Sequence, residues 1–125
     1  MSDKDVASIE IEFERWSLEI RRGALSLAVL AIVLGGESHG YDVMKKLSEN
    51  EYSVLSVEPG TVYPLLRRLE KRGILEGKWS QSSSGKMRRM YFITKNGRLA
   101  LRRMVESWRD LNSQLMKLVE EAGLI

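Results

Sequence analysis

The last quarter of the chain carries the pattern that most restricts its fold. Leu101, Met104, Trp108, Leu111, Leu115, Leu118 and Ala122 recur at steps of 3, 4, 3, 4, 3 and 4, the a/d seam of a helix sustained over three heptads. Val105 and Val119 widen it. Thr94 stands just before, with a hydroxyl able to accept an orphan backbone N–H, so a helix over residues 95–122 is predicted. Such a helix is about 40 Å long at 1.5 Å per residue. A chain of 125 residues makes one domain with a modest core, too small to cover the whole seam. A second copy of the chain is the economical cover, which makes Leu101, Met104, Trp108, Leu111, Leu115 and Leu118 the candidate interface of a homodimer.

Upstream of the seam the apolar residues keep a helical period as far as Gly73. Residues 5–22 place Ile9, Phe13, Trp16 and Ile20 at spacings of four, three and four, with Glu10, Glu12, Glu14, Arg15 and Glu19 mostly elsewhere around the wheel, an amphipathic helix with an apolar stripe. Residues 24–34 are apolar nearly all round, which suits a central buried helix ended by Gly35-Gly36. The next helix is expected from Gly40 to about Glu51, started by Ser38 or His39 and striped by Tyr41, Met44 and Leu47. A loop over 53–58 leads to a third helix near Pro59. Proline is tolerated in the first helical turn, where its missing N–H has no intrahelical partner to lose, so Pro59 and Pro64 mark a start and not a break. Val62, Leu65, Leu66 and Leu69 are its buried face, and Gly73 its left-handed stop.

Beyond Gly73 the period changes to two. Leu75, Gly77 and Trp79 alternate with Glu76, Lys78 and Ser80, and after the loop Ser82-Ser83-Ser84-Gly85-Lys86 a second β-prone run covers Met87–Ile93. Two strands around five loop residues make a β-hairpin. Alternation sends Arg88 and Arg89 to opposite faces, while Tyr91 and Ile93 face either core or solvent. The fold class is therefore mainly α with a small β-hairpin: a winged helix-turn-helix plus a long C-terminal dimerisation helix. It divides into an N-terminal amphipathic helix (1–22), a winged helix-turn-helix DNA-binding domain (23–94) and the dimerisation helix (95–125).

Charge distribution bears on the partner. The net charge is only +3, but residues 59–103 hold 12 basic and 2 acidic side chains, and the rest of the chain 8 basic and 15 acidic. One segment carries +10 and the remainder −7. In a winged helix the third helix enters the DNA major groove and the wing follows the backbone, and these are the elements bearing the excess. If Val62, Leu65, Leu66 and Leu69 face inward, Gly60, Thr61, Tyr63, Pro64, Arg67 and Arg68 are left outside. A backbone N–H at a helix start meets a phosphate, a tyrosine hydroxyl donates to one, and an arginine fork binds a phosphate or a guanine edge. First-turn residues reach deepest, favouring Thr61, Tyr63 and Pro64 for base edges. Tyr41 on the second helix and Lys86, Arg88 and Arg89 on the wing complete the candidate DNA contacts, while Arg98, Arg102 and Arg103 read equally well as a solvated face.

Several other functions are disfavoured. With no cysteine and one histidine, His39, the chain cannot assemble thiol nucleophiles, Cys-ligated zinc or a multi-His metal site. It has no HExxH, Walker A or GxGxxG motif. No enzyme activity, cofactor or metal is expected. The apolar run over 24–34 is too short to span a bilayer and follows an acid-rich segment unlike a signal peptide, so a soluble, cytoplasmic protein with no membrane partner is expected. His39 reads as a capping or packing residue, with a pH switch or a ligand contact as the alternatives, and the isolated acids Glu70 and Glu76 as ion-pair partners.

Arg22-Gly23-Ala24-Leu25 before an apolar helix, His39-Gly40-Tyr41, the run from Pro59 to Glu70 (PGTVYPLLRRLE), and Arg88-Arg89-Met90-Tyr91 with Thr94-Lys95-Asn96-Gly97 together resemble the PadR family of transcriptional regulators over roughly residues 22–103. The single helix after the wing is similar to the short members of that family, including multidrug-responsive ones. The resemblance implies a dimeric repressor on a pseudo-palindromic double-stranded operator. In some members it also implies release by a small hydrophobic or aromatic ligand. Trp108 then either belongs to the dimer core or lines an effector pocket, to which Trp16 and Phe13 could contribute. A winged-helix module for protein or RNA, using the wing or the stripe of Ile9, Phe13, Trp16 and Ile20, is the alternative.

Overall fold

The computed structural model describes residues 1–36 and 39–125. Helix α1 spans Asp3–Leu34, α2 Gly40–Leu47, a short 3-10 helix Asn50–Leu55, α3 Pro59–Lys71, strands β1 and β2 Leu75–Gln81 and Met87–Ile93, and α4 Lys95–Glu121. Helices α1 to α3 surround the core, the hairpin closes one side of it, and α4 leaves across α1.

The two N-terminal helical segments of the sequence form one helix of 32 residues. A capping box starts it: the Asp5 N–H donates to Ser2 Oγ, and the Ser2 N–H donates to Asp5 Oδ2, both at 3.2 Å. Gly23 does not interrupt it, since one helical glycine costs only about 1 kcal/mol relative to alanine. What changes along α1 is burial: residues 1–16 are exposed, whereas Leu25, Val29, Leu30 and Val33 lie in the core. Arg21 reaches from α1 to the Ser56 carbonyl at 2.9 Å and so fixes the approach to α3.

Helix α2 is shorter than its sequence suggests. The Ser48 hydroxyl donates back to the Met44 carbonyl at 2.9 Å, local competition that favours a helix end, and the chain re-coils into the 3-10 helix where a helical tail and a loop were expected. Its inner face is Gly40, Val43 and Leu47, not the line through Tyr41 and Met44: Tyr41 is 58% exposed and Met44 only partly covered. His39 occupies the N-cap position but its side chain makes no capping bond. The alternative start, Ser38, lies outside the described residues.

Helix α3 buries Val62, Leu65, Leu66 and Leu69, the face its spacing predicts. Pro59 opens it, and Pro64 sits one turn inside, where it takes the helical N–H partner from the Gly60 carbonyl without ending the helix. The helix closes in a Schellman arrangement: Gly73 has φ +76°, its N–H donates to the Glu70 carbonyl at 3.0 Å, and the Ile74 N–H donates to that of Leu69 at 2.9 Å.

The hairpin has the expected strands and loop, with Gly77 opposite Tyr91, Trp79 opposite Arg89 and Gln81 opposite Met87. Leu75 and Tyr91 point into the core, which settles Tyr91 on the inner face. On its other edge β2 makes a single bridge from Met90 to His39, just before α2. Thr94 then binds three parts of the fold. Its hydroxyl accepts the Gly97 N–H at 2.9 Å, capping α4, and lies 2.7 and 3.0 Å from the carbonyls of Gly73 and Ile74, to which it donates. Gly97 is buried against that same turn, where a methyl group would collide with the Ile74 carbonyl.

Candidate nucleic-acid interface

The start of α2, the outer face of α3 and the tip half of the hairpin enclose an open groove of about 720 Å³. Tyr41, Tyr63, Arg67, Lys86, Arg88 and Arg89, all candidates from the sequence, line it together. Each arrives for a local reason. Arg67 and Tyr63 are four residues apart on α3, opposite the buried leucines. Arg88 and Lys86 follow the Ser82–Lys86 turn, which is closed by the Ser82 N–H donating to the Lys86 carbonyl at 2.8 Å and by Gly85 at φ +86°. The Tyr63 ring lies against Gly40 so closely that a methyl group there would be 2.7 Å from Cε1. Glycine at the first position of α2 thus lets that helix seat on α3. Gly60, Thr61 and Pro64, at the N-terminal end of α3, and Arg68 lie outside the groove lining. Gly60, Pro64 and Arg68 are exposed and Thr61 is half-buried.

The electrostatics separate two kinds of cation. Among the described residues Arg67, Arg68, Lys71, Arg72, Lys86 and Arg88 are exposed and in no ion pair. Lys78 pairs loosely with Glu76 at 3.7 Å. Arg89 is held. Its guanidinium donates to both carboxylate oxygens of Glu70, with Nε at 3.4 Å from Oε1 and a closer bond from Nη2 to Oε2, and it stacks 5.1 Å from the centroid of Trp79. Hydrogen bonding to Glu70 raises the Arg89 pKa further above its ordinary value. Burial pushes the Tyr91 phenol up, and the nearby Glu70 charge adds to it. Both groups keep their neutral-pH charge state.

Sequence reasoning left Trp79, Tyr91 and Gly40 out of this site and treated Glu70 only as an ion-pair partner. Trp79 was within reach: a five-residue loop sets the register that places it opposite Arg89. His39 also lines the groove, and its Nδ1 is buried with no hydrogen-bond partner among the described residues.

An exposed third helix ending in a tight turn, followed by a basic two-stranded wing and a long terminal helix, matches known proteins closely. The transcriptional regulator PadR-like family matches residues 29–103, more than half of the sequence. The chain belongs to this family. A PadR family regulator from Eggerthella lenta is 33% identical, aligns over 91% of this chain and 97% of its own, and superposes with a TM-score of 0.79. A PadR-like regulator from Bacillus cereus is 32% identical over 81% of this chain and 96% of its own, with a TM-score of 0.69. A transcriptional regulator of Mycobacterium tuberculosis is 39% identical over 83 residues, 66% of this chain and 74% of its own length. As a PadR-family transcriptional regulator this protein is a winged-helix, DNA-binding type of molecule.

The remaining residues singled out from the sequence lie along α1 and α4. Leu101 is in the protomer's own core and Met104 packs against it, whereas Trp108, Leu111, Leu115 and Leu118 are exposed on the single chain. Trp108 stands between two hollows. One, of about 530 Å³, is lined by Leu27, Ala31, Ile32, Tyr52 and Leu55; the other, of about 460 Å³, by Gly23, Ala24, Met104 and Leu111. Phe13 and Trp16, with centroids 6.3 Å apart, line a separate depression with Ile9 on the first half of α1, so a single chain does not bring them to Trp108. Among the described residues no helix is long and apolar enough to cross a membrane.

Proposed function

We propose that this chain is a homodimeric, sequence-specific repressor that binds a pseudo-palindromic duplex operator and is released by a small hydrophobic or aromatic ligand. The observation that carries the reading is the meeting of unpaired basic side chains from α3 and from the wing on one groove, beside the exposed start of α3. In this reading Gly60, Thr61, Tyr63 and Pro64 address the major groove and its flanking phosphate. Arg67 and Arg68 bind a guanine edge or backbone, and Tyr41, Lys86 and Arg88 bind phosphates. Residues 1–22, 23–94 and 95–125 serve as arm, reading head and dimer helix. Leu111, Leu115 and Leu118 meet the second copy, and Trp108 faces the effector or the partner. Neutralised phosphates make affinity fall steeply with salt. A protein-docking module would leave the groove's charge without a purpose, and an RNA-docking one would bind a structured RNA in preference to any duplex DNA.

The test is selection from a randomised duplex pool by the full chain, followed by footprinting. Two inverted half-sites about one helical turn apart are expected. Equal retention of all sequences would overturn the specific part of the reading. A hydrophobic aromatic cation should quench tryptophan emission and release the selected duplex, with both responses lost in Trp108→Ala; release that persists there removes Trp108 from the effector site.

A further inference from the structure

The wing carries two adjacent arginines, and the structure treats them oppositely. Arg88 is exposed at the groove, without an ion pair among the described residues. Arg89 is occupied on two sides, by the Glu70 carboxylate from the last turn of α3 and by the Trp79 ring from β1, and both members of the ion pair are largely covered, with 29% and 27% of their side chains exposed. The pair lies over Gly77. A methyl group at that position would stand 2.5 Å from Glu70 Oε1 and 2.7 Å from Arg89 Nε, so a strand glycine, which by itself weakens a sheet, makes the room the pair needs. The end of α3 is thus bolted, on the groove side, to a hairpin whose two strands are already joined by their own ladder. An arginine fork suits this better than a lysine, because it meets the carboxylate at two points and stacks its plane on an aromatic ring.

We propose that Arg89 is a positioning residue: with Glu70 and Trp79, over the gap left by Gly77, it sets the angle of the wing against the recognition helix, and the wing's phosphate contacts fall to Arg88 and Lys86. This rests on the DNA-binding reading given above and sharpens it, because the two wing arginines receive different tasks. A wing held at a fixed angle presents its cations at one distance from the bases read by α3. A loose wing must be ordered at each encounter, which costs affinity.

The experiment uses the full chain, the duplex it selects from a randomised pool, and 5-fluorotryptophan labelling, with the Trp79 resonance assigned through Trp79→Phe. Glu70→Gln decides by sign. Removing a negative charge beside a polyanion should tighten binding, or leave it unchanged, if Arg89 simply contacts phosphate; a latch predicts binding weaker by about five- to tenfold. Arg89→Lys keeps the charge and should lose nearly as much affinity as Arg89→Ala. Gly77→Ala changes no charge and should also weaken binding. In the DNA-free protein these four variants should move the Trp79 fluorine resonance while the melting midpoint shows the chain still folded. Arg88→Ala should weaken binding with that resonance unmoved. Tighter or unchanged binding by Glu70→Gln, or full retention by Arg89→Lys, overturns the proposal while leaving the interface intact. If neither Arg67→Ala nor Arg88→Ala alters affinity, the interface itself falls, and the proposal with it.

Discussion

In the groove, α2, α3 and the hairpin converge within one chain, and the contacts that shape it are internal: Tyr63 on Gly40, Arg89 between Glu70 and Trp79, Met90 bridged to His39. Along α4 the reverse holds. After Leu101 and Met104 the helix leaves the core, and its apolar line continues into solvent, with Trp108 42%, Leu115 50% and Leu118 63% exposed. The first half of α1 behaves the same way, with Trp16 54% exposed. Within one chain the polar groove is therefore shaped by internal contacts, while the apolar stripes of α4 and of the first half of α1 stay exposed. A reading head must be shaped before it meets its target, whereas an apolar stripe gains its stability only when a second surface covers it.

That contrast can be broken. The largest effect is expected from placing charge in the seam: Leu111→Glu with Leu115→Glu should give a monomer in sedimentation and lower affinity for the two-half-site duplex by about 100-fold or more, because linked binding of two half-sites is lost. A compact monomer of the unaltered chain at micromolar concentration would refute the seam outright. Next comes the groove. Arg67→Ala should cost about 10- to 100-fold in affinity, on the scale of one bidentate base contact, with the dimer and its melting temperature unchanged. If the loss is confined to one base position, Arg67 reads sequence; if it is uniform, Arg67 holds backbone. Smaller still, Arg88→Ala should weaken binding several-fold and lower the slope of log affinity against log salt by about 1. Smallest is Arg103→Ala, on the exposed side of α4: less than a twofold change is expected by titration, and a larger one would extend the groove's charge onto the dimer helix.

Much of the fold could be read in the residues, and the failures have identifiable causes. The hairpin was legible because strict alternation and a five-residue loop fix register, which also puts Arg88 and Arg89 on opposite faces. The start of α4 was legible because the Thr94 hydroxyl has a definite job. The end of α2 was not, since it turns on the Ser48 side chain competing for the Met44 carbonyl, and equal three-residue steps through Tyr41, Met44 and Leu47 drift around a helix whose true inner line is Gly40, Val43 and Leu47. Half of the groove followed from charge and helical phase. The other half, the cluster of Glu70, Trp79 and Arg89, joins residues up to 19 positions apart on three elements. Register alone sets Trp79 opposite Arg89, but only the rotation of α3 relative to the sheet brings Glu70 to them, and no local pattern encodes that rotation.

The junction at Thr94 has a mechanical consequence. One hydroxyl closes the turn after α3 and opens α4, and Gly97 leaves no slack between them, since even a methyl group would strike the Ile74 carbonyl. No hinge separates α3 from α4 at this junction. In the proposed dimer, anything that tilts α4 against the second copy would turn each α3 with it, as a crank turns its axle, so that the spacing between the two half-sites would become a direct gauge of how the two long helices cross.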